Sequence, residues 1–174
     1  AELKLGNTDN DYLGPVINER QMNNILKAIE EVSGRGAKVL CGGNRHGDSG
    51  YYVRPTVLEG VAVDDSWTDL EVFGPVTPLY RAKDYEDALR IANSTGYGLT
   101  AAIHTTNVNR AVHFTRAVRA GTVNVNMGTF GSEPHFPFGG YGLSGNGSRE
   151  PGLEAVDLYT ELKTVSFFAD AGAL

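Results

Sequence analysis

An α/β fold, with a parallel sheet flanked by helices and a C-terminal edge strand, is what this sequence predicts. Three observations predict it. From Val76 onward, short apolar runs alternate with helical patterns: "VTPLYRA", a helix after Asp84, "LTAAIHT", a helix after Asn107, then "TVNVN". Strand–helix–strand–helix–strand order requires crossovers, which make neighbouring strands parallel. The strands are mostly apolar, as strands covered on both faces are. Finally, a chain of 174 residues, 41% apolar and 21% charged, suits one globular domain with its own core.

Each element has a local reason. After Gly14-Pro15, Asn18 is a good N-cap, with Gln21 three residues on as in a capping box. Met22, Ile25, Leu26 and Ile29 then recur at helical spacing, and Gly34 offers the stop. "AKVLC" reads as a short buried strand, followed by the turn-rich "GGNRHGDSG". "YYVRPTVLEGV" alternates as a strand does, with Pro55 marking an edge or a bulge. Asp84 caps a helix carrying Tyr85, Ala88, Leu89 and Ala92; Asn107 caps another through Val112, Phe114 and Val118, ended by Gly121. An aperiodic stretch at 127–152, rich in glycine, proline and aromatic residues, is longer than ordinary connections, and loops of such length are commonly functional. A short helix at 154–159 and a last strand, "LKTVSFF", beginning at Leu162 and ending at Phe168, close the chain.

Composition excludes several classes of function. Net charge is −6, without a block of Lys or Arg, so the electrostatic footprint for nucleic acid or an anionic membrane is missing. No apolar run approaches the ~20 residues that span a bilayer. The single cysteine, Cys41, excludes an internal disulfide and a cysteine-rich zinc site, and a reducing cytoplasmic setting is expected. The first residues, "AELKLGNTDNDYLGP", lack the basic and apolar regions of a signal peptide and read as a loop.

"PFGGYGLSGNG" contains G-x-G-x-x-G in Gly140, Gly142 and Gly145. A dinucleotide-binding turn of this pattern must follow a strand and open a helix, whose N-terminus holds the pyrophosphate. Here "SEPHFPF" precedes it and "NGSREPG" follows, neither of which qualifies. The glycines are expected instead to allow positive-φ turns and close backbone approach in a packed loop.

The same stretch, "PFGGYGLSGNGSREPG", resembles the C-terminal loop of the aldehyde dehydrogenase superfamily, and "LEVFGPV" resembles that family's E-x-F-G-P cofactor segment. "GPVINERQ", "GAKVLCGG", "NSTGYGLTAAIHTTN" and "YTELKTV" follow the family's order and spacing. The resemblance implies a Rossmann-like parallel sheet, with 1–160 as the C-terminal portion of the catalytic domain and 161–174 as an oligomerisation strand and tail. It implies an NAD(P)-dependent enzyme, using NAD or NADP, that oxidises a small-molecule aldehyde to a carboxylic acid through a cysteine thiohemiacetal and thioester.

By resemblance, Glu71 hydrogen-bonds the nicotinamide ribose hydroxyls, Phe73 packs beside the nicotinamide, and Phe138 lines the aldehyde pocket. A carboxylate is a bidentate acceptor for vicinal hydroxyls, and an apolar ring helps exclude water from a hydride path. Arg149 and Glu150 match a family pair for which a structural ion pair is the simplest reading. Two departures stand out: Gly142 occupies a position where many relatives have Lys, and Ser148 is an additional residue before Arg149.

The family's nucleophile sits in a Gly-Gln-x-Cys segment upstream of this chain, so no catalytic residue is assigned here and the chain alone is expected to be inactive. Cys41 ends a strand without an activating base and reads as an inert small hydrophobe. His46, His104, His113 and His135 show no metal-ligand spacing, so no metal is expected. Glu133 and His135 are the acid–histidine neighbours of the long loop, the one place there for a dyad. The last strand is expected to pair with another copy, giving a homo-oligomer, since an uncovered apolar edge associates. A non-catalytic truncated relative, acting as a binding or assembly module, is the alternative.

Overall fold

Asn18 starts the first helix: its Oδ1 accepts the Gln21 N–H at 2.8 Å, and α1 runs Glu19–Gly34. The computed structural model describes residues 4–6, 8–9, 12–168 and 172, and the remaining part of the expected 161–174 tail lies outside the described residues. The chain divides into two compact units, Ala1–Gly96 and Tyr97–Leu174.

In the first unit, α1 ends two residues later than Gly34 suggested. Gly36 is the residue at positive φ (105°), its N–H bonding the Ser33 carbonyl while Ala37 N–H reaches Val32. That pair of bonds is a Schellman cap, which places the left-handed residue at Gly36 rather than Gly34. Three strands follow: β1 (Lys38–Cys41), β2 (Thr56–Glu59) and β3 (Val76–Leu79), in that order across one sheet. β2 pairs antiparallel with β1 and parallel with β3. Met22, Ile25, Ile29 and Val32 of α1 pack with Val53, Leu58, Val61 and Trp67 to make the core. Each such side chain, fully buried, contributes about 1.5–3 kcal/mol. Asp84 caps α2 (Tyr85–Ala92), its Oδ1 accepting the Asp87 N–H at 2.8 Å.

The second unit is built on a βαβ element: β4 (Thr100–Ile103), α3 (Val108–Ala117) and β5 (Thr122–Val125), with β4 and β5 parallel and Thr100 opposite Thr122. Asn107 caps α3 through the Arg110 N–H at 3.0 Å. Asn126, at φ 58°, closes the strand pair: its side chain accepts from Thr105 N–H at 2.8 Å and donates to Thr105 O at 3.0 Å. Asparagine is among the few side-chain-bearing residues that accept this conformation readily. A short helix, α4, spans Ala155–Tyr159.

The α/β class holds, but four sequence expectations change. The strands do not form one parallel sheet: β3 joins β2 and β1, while β4 and β5 make a sheet of their own. Pro78 within β3 lacks the N–H that an interior strand supplies, and β3 stands at an edge. β1 is exposed along its length, and it too is an edge strand of its sheet. α3 ends at Ala117, its last N–H bond running from Val118 to Phe114, so Gly121 begins the turn into β5 rather than stopping the helix. Finally, 162–168 forms no strand in this chain. A strand needs a ladder partner, and among the described residues these have none; Leu162, Val165, Phe167 and Phe168 are all exposed.

Candidate functional site

The E-x-F-G-P segment is held by one face of α1. Asp65 caps a 3₁₀ turn at Ser66–Asp69 by accepting the Trp67 N–H at 2.8 Å, and Arg35 reaches the same carboxylate at 3.1 Å. Trp67 is buried, and its indole N–H donates to the Ala28 carbonyl at 3.0 Å. Leu70 N–H then bonds Trp67 O, and the chain runs out to Glu71. At the far end, Gln21 Nε2 donates to both the Val72 carbonyl (2.9 Å) and the Phe73 carbonyl (3.2 Å). Gly74 lies so close to α1 that a Cβ there would stand 2.5 Å from Ile25 Cδ1. Pro75 O accepts the Thr56 N–H at 2.8 Å, and β3 begins. Gln21, Ile25 and Ala28 are at i, i+4 and i+7, so a single stripe of the helix grips the segment at both ends.

Phe73 sits at φ 49°. For a bulky side chain this is an outlier that costs about 1–3 kcal/mol and persists only where surrounding bonds over-determine it. The two Gln21 bonds and the Gly74–Ile25 contact are those constraints. Their result is a phenyl ring 73% exposed, in a protein whose other large aromatic in this region, Trp67, is buried.

Glu71 and Phe73 share an open groove of about 340 Å³ with Gln21, Asn24, Lys27 and Glu31 of α1. Lys27 and Glu31 pair at 3.6 Å across one turn. The Glu71 carboxylate makes no hydrogen bond or ion pair with the described residues, so its four lone-pair positions are open to a ligand. The groove thus places an unpartnered carboxylate and an exposed aromatic ring side by side.

Phe138 belongs to the second unit, where its carbonyl accepts the Glu150 N–H at 3.0 Å and its ring is at the margin of exposure. The glycine-rich loop around it is a knot of backbone. A Cβ on Gly121 would collide with the Gly139 carbonyl, one on Gly145 with the Gly140 carbonyl, and one on Gly98 with the Arg119 carbonyl. Gly142 takes φ 57° and opens a 3₁₀ turn, Gly142–Ser144. The glycines thus serve close packing, as the sequence context of G-x-G-x-x-G indicated. Among the described residues Arg149 and Glu150 form no ion pair. Arg149 lies 5.2 Å over the Tyr141 ring and donates to Ser148 O, while Glu150 accepts from the Tyr159 hydroxyl at 2.6 Å. That hydrogen bond, with the adjacent negative charge, raises the Tyr159 phenol above its ordinary value.

His135 packs against Phe136 at 4.2 Å between ring centroids and makes no bond to Glu133, so the loop holds no dyad. Cys41 Sγ is exposed and faces the Pro55 carbonyl at 3.8 Å. Among the described residues, no group of three or more His, Cys, Asp or Glu is placed to hold a metal ion. Gln21 is the functional neighbour that sequence reasoning missed. Its position at N3 after an Asn cap accounts for its backbone, yet its side chain reaches across 51 residues of sequence rather than back to the cap.

Similarity to known proteins agrees with this arrangement. The family model described as "Aldehyde dehydrogenase family" matches residues 1–165. An aldehyde dehydrogenase of Emericella nidulans is 41% identical over 169 residues, which cover 94% of this chain and 33% of that protein. Retinaldehyde dehydrogenase 3 of Rattus norvegicus is 42% identical over 158 residues, covering 90% of this chain and 30% of that protein. Among solved structures, the NAD+ complex of an aldehyde dehydrogenase from Bacillus cereus is similar with a TM-score of 0.88 and 36% identity, over 94% of this chain and 33% of that one. The chain spans about a third of the length of the curated relatives it matches. With the E-x-F-G-P segment and the glycine-rich loop in place and a family match over nearly its whole length, the chain belongs to the aldehyde dehydrogenase family.

Proposed function

We propose that the complete protein is an NAD(P)-dependent aldehyde dehydrogenase that oxidises an aldehyde to a carboxylic acid through a cysteine thioester. In this reading, 1–160 is the C-terminal portion of its catalytic domain, and the chain alone is inactive. The observation that carries it is the groove on α1, where an unpartnered Glu71 carboxylate stands beside a Phe73 ring held out into solvent at φ 49°. Glu71 accepts from two vicinal ribose hydroxyls and so orients the sugar. Phe73 covers one face of the attached flat ring and keeps water from it. When bound, the nicotinamide supplies the hydride acceptor. Phe138 serves as part of the aldehyde pocket's wall.

Inactivity of the chain alone is supported by Cys41, its one cysteine, which lies on β1 against the Pro55 carbonyl rather than in the groove. Association is supported by the exposed apolar side chains of Leu162, Val165, Phe167 and Phe168, which suit a segment that adds to a sheet of another copy.

Titration of NAD+ and NADP+ into the complete protein, with aldehyde-dependent formation of the reduced nucleotide, tests the reading. Binding and turnover by the complete protein, and neither turnover by the 174-residue chain, are expected. A complete protein that binds neither nucleotide, or a lone chain that turns over, refutes it. In the same complete protein, Phe167→Asp with Val165→Asp is expected to lower the oligomeric state on size-exclusion chromatography.

A further inference from the structure

Resting on that cofactor reading, we propose that Gln21 is a positioning residue. Its side-chain amide holds the backbone of Phe73 in the left-handed region and thereby aims the Phe73 ring at the nucleotide. Three independent features converge on it. The Nε2 donates at 2.9 Å and 3.2 Å to two successive carbonyls, Val72 and Phe73, the residues that separate and follow Glu71. Phe73 has φ 49°, a conformation a phenylalanine does not adopt without external constraint. One turn along the same stripe, the fully buried Ile25 leaves no room for a side chain at residue 74, so the segment is pressed against α1 where Gln21 pins it.

The capping arrangement shows why the side chain is free to do this. Asn18 caps α1 through the Gln21 backbone N–H, and the usual reciprocal bond from the residue at N3 back to the cap is replaced by the bonds to the segment. Holding the Val72 and Phe73 carbonyls from one amide fixes the two peptide planes that flank Phe73. Together those planes set φ and ψ at residue 73 and so the direction in which its ring leaves the backbone.

Donation, rather than bulk, is the working property, and Gln21→Glu separates the two: it keeps size and shape but turns an oxygen toward two carbonyl oxygens. In the complete protein without nucleotide, hydrogen exchange of the peptide covering residues 70–75 is expected to quicken about ten-fold in Gln21→Glu, the loss of roughly one hydrogen bond. The dissociation constant for NAD+ or NADP+, read by calorimetry, is expected to rise by a similar factor of about ten, with the aldehyde KM unchanged. Glycine adopts φ near +50° without strain, so in a Phe73→Gly background the effect of Gln21→Glu on nucleotide affinity is expected to shrink to about three-fold or less.

Unchanged exchange and unchanged affinity in Gln21→Glu overturn the proposal while leaving the cofactor reading intact. An undiminished effect in the Phe73→Gly background also overturns it, because Gln21 would then act by touching the nucleotide itself. A wild-type protein that binds neither nucleotide overturns the cofactor reading and this role together.

Discussion

The indole N–H of Trp67 donates to the carbonyl of Ala28 at 3.0 Å, in a site where both residues are buried. It ties the chain just before the E-x-F-G-P segment to the middle of α1, thirty-nine residues away in sequence. Trp67→Phe keeps most of the apolar contact but deletes the bond, and is expected to lower unfolding stability by about 1–2 kcal/mol. Trp67→Ala removes the packing as well and is expected to cost about 3–5 kcal/mol. Urea unfolding of the complete protein, followed by circular dichroism, checks the ranking; equal losses for the two variants would show that the hydrogen bond and ring packing are not separable as argued.

Gly74 and Ile25 offer a test of the other clamp. A methyl group at residue 74 meets the fully buried Ile25 side chain at 2.5 Å to Cδ1 and 2.8 Å to Cγ1, closer than van der Waals contact allows. Gly74→Ala is expected to destabilise by about 1–3 kcal/mol through overpacking. Ile25→Ala alone costs about 2–5 kcal/mol by leaving a cavity. The double variant is expected to be less impaired than the sum of the two, by on the order of 1 kcal/mol, since the new methyl fills part of the space vacated. Strict additivity in the cycle would mean that the two residues do not press on one another.

What the sequence discloses and what it hides divide along physical lines. Asn18, Asp84 and Asn107 cap their helices as read, because a cap depends on residues within one turn. The glycines of the long loop were legible as packing devices, because a turn that neither follows a strand nor opens a helix cannot cradle a phosphate. Gln21 was half legible: its backbone role is local, but its side-chain partners lie 51 and 52 positions away. Phe73 at φ 49° was hidden for the opposite reason, since phenylalanine's own preference argues against it and only Gly74-Pro75 marks an unusual backbone. The burial of β1 was misjudged because an apolar run predicts a strand, whereas its coverage depends on which neighbours reach it.

Two side-chain pairs carry opposite pH dependences. The Tyr159 hydroxyl donates to Glu150 at 2.6 Å, which raises its ionisation above the ordinary 10.0. A raised folded-state value stabilises the protein fully below 10.0 and ceases to do so as pH climbs through the raised value. Asp87 is the converse: its bond from Arg90, then that from the Lys83 N–H, lowers its ionisation below 3.8, so its contribution is present above that value and lost as pH falls through the lowered one. Following phenolate absorbance with pH, Glu150→Gln is expected to return one tyrosine to the ordinary range, and Tyr159→Phe to remove one late-titrating tyrosine. A titration unchanged by Glu150→Gln would break the link.

The backbone knot of the second unit makes a stability prediction that separates close approach from conformation. Gly121 turns the chain into β5 with its N–H bonded to Gly98 O, and Gly98 O also accepts the Tyr141 N–H, so one carbonyl joins the βαβ element to the glycine-rich loop. The space a side chain at residue 121 would need is filled by the Gly139 carbonyl, and that at residue 145 by the Gly140 carbonyl. Backbone cannot swing aside as a flexible side chain does, so Gly121→Ala and Gly145→Ala are each expected to cost at least about 2–3 kcal/mol. Gly147 and Gly131 have open space around them, and their positive φ alone sets the penalty, so Gly147→Ala is expected to cost only about 1 kcal/mol. Unfolding midpoints for the three alanine variants in the complete protein decide it: comparable losses at 121, 145 and 147 would mean that conformation, not close backbone approach, is what these glycines provide.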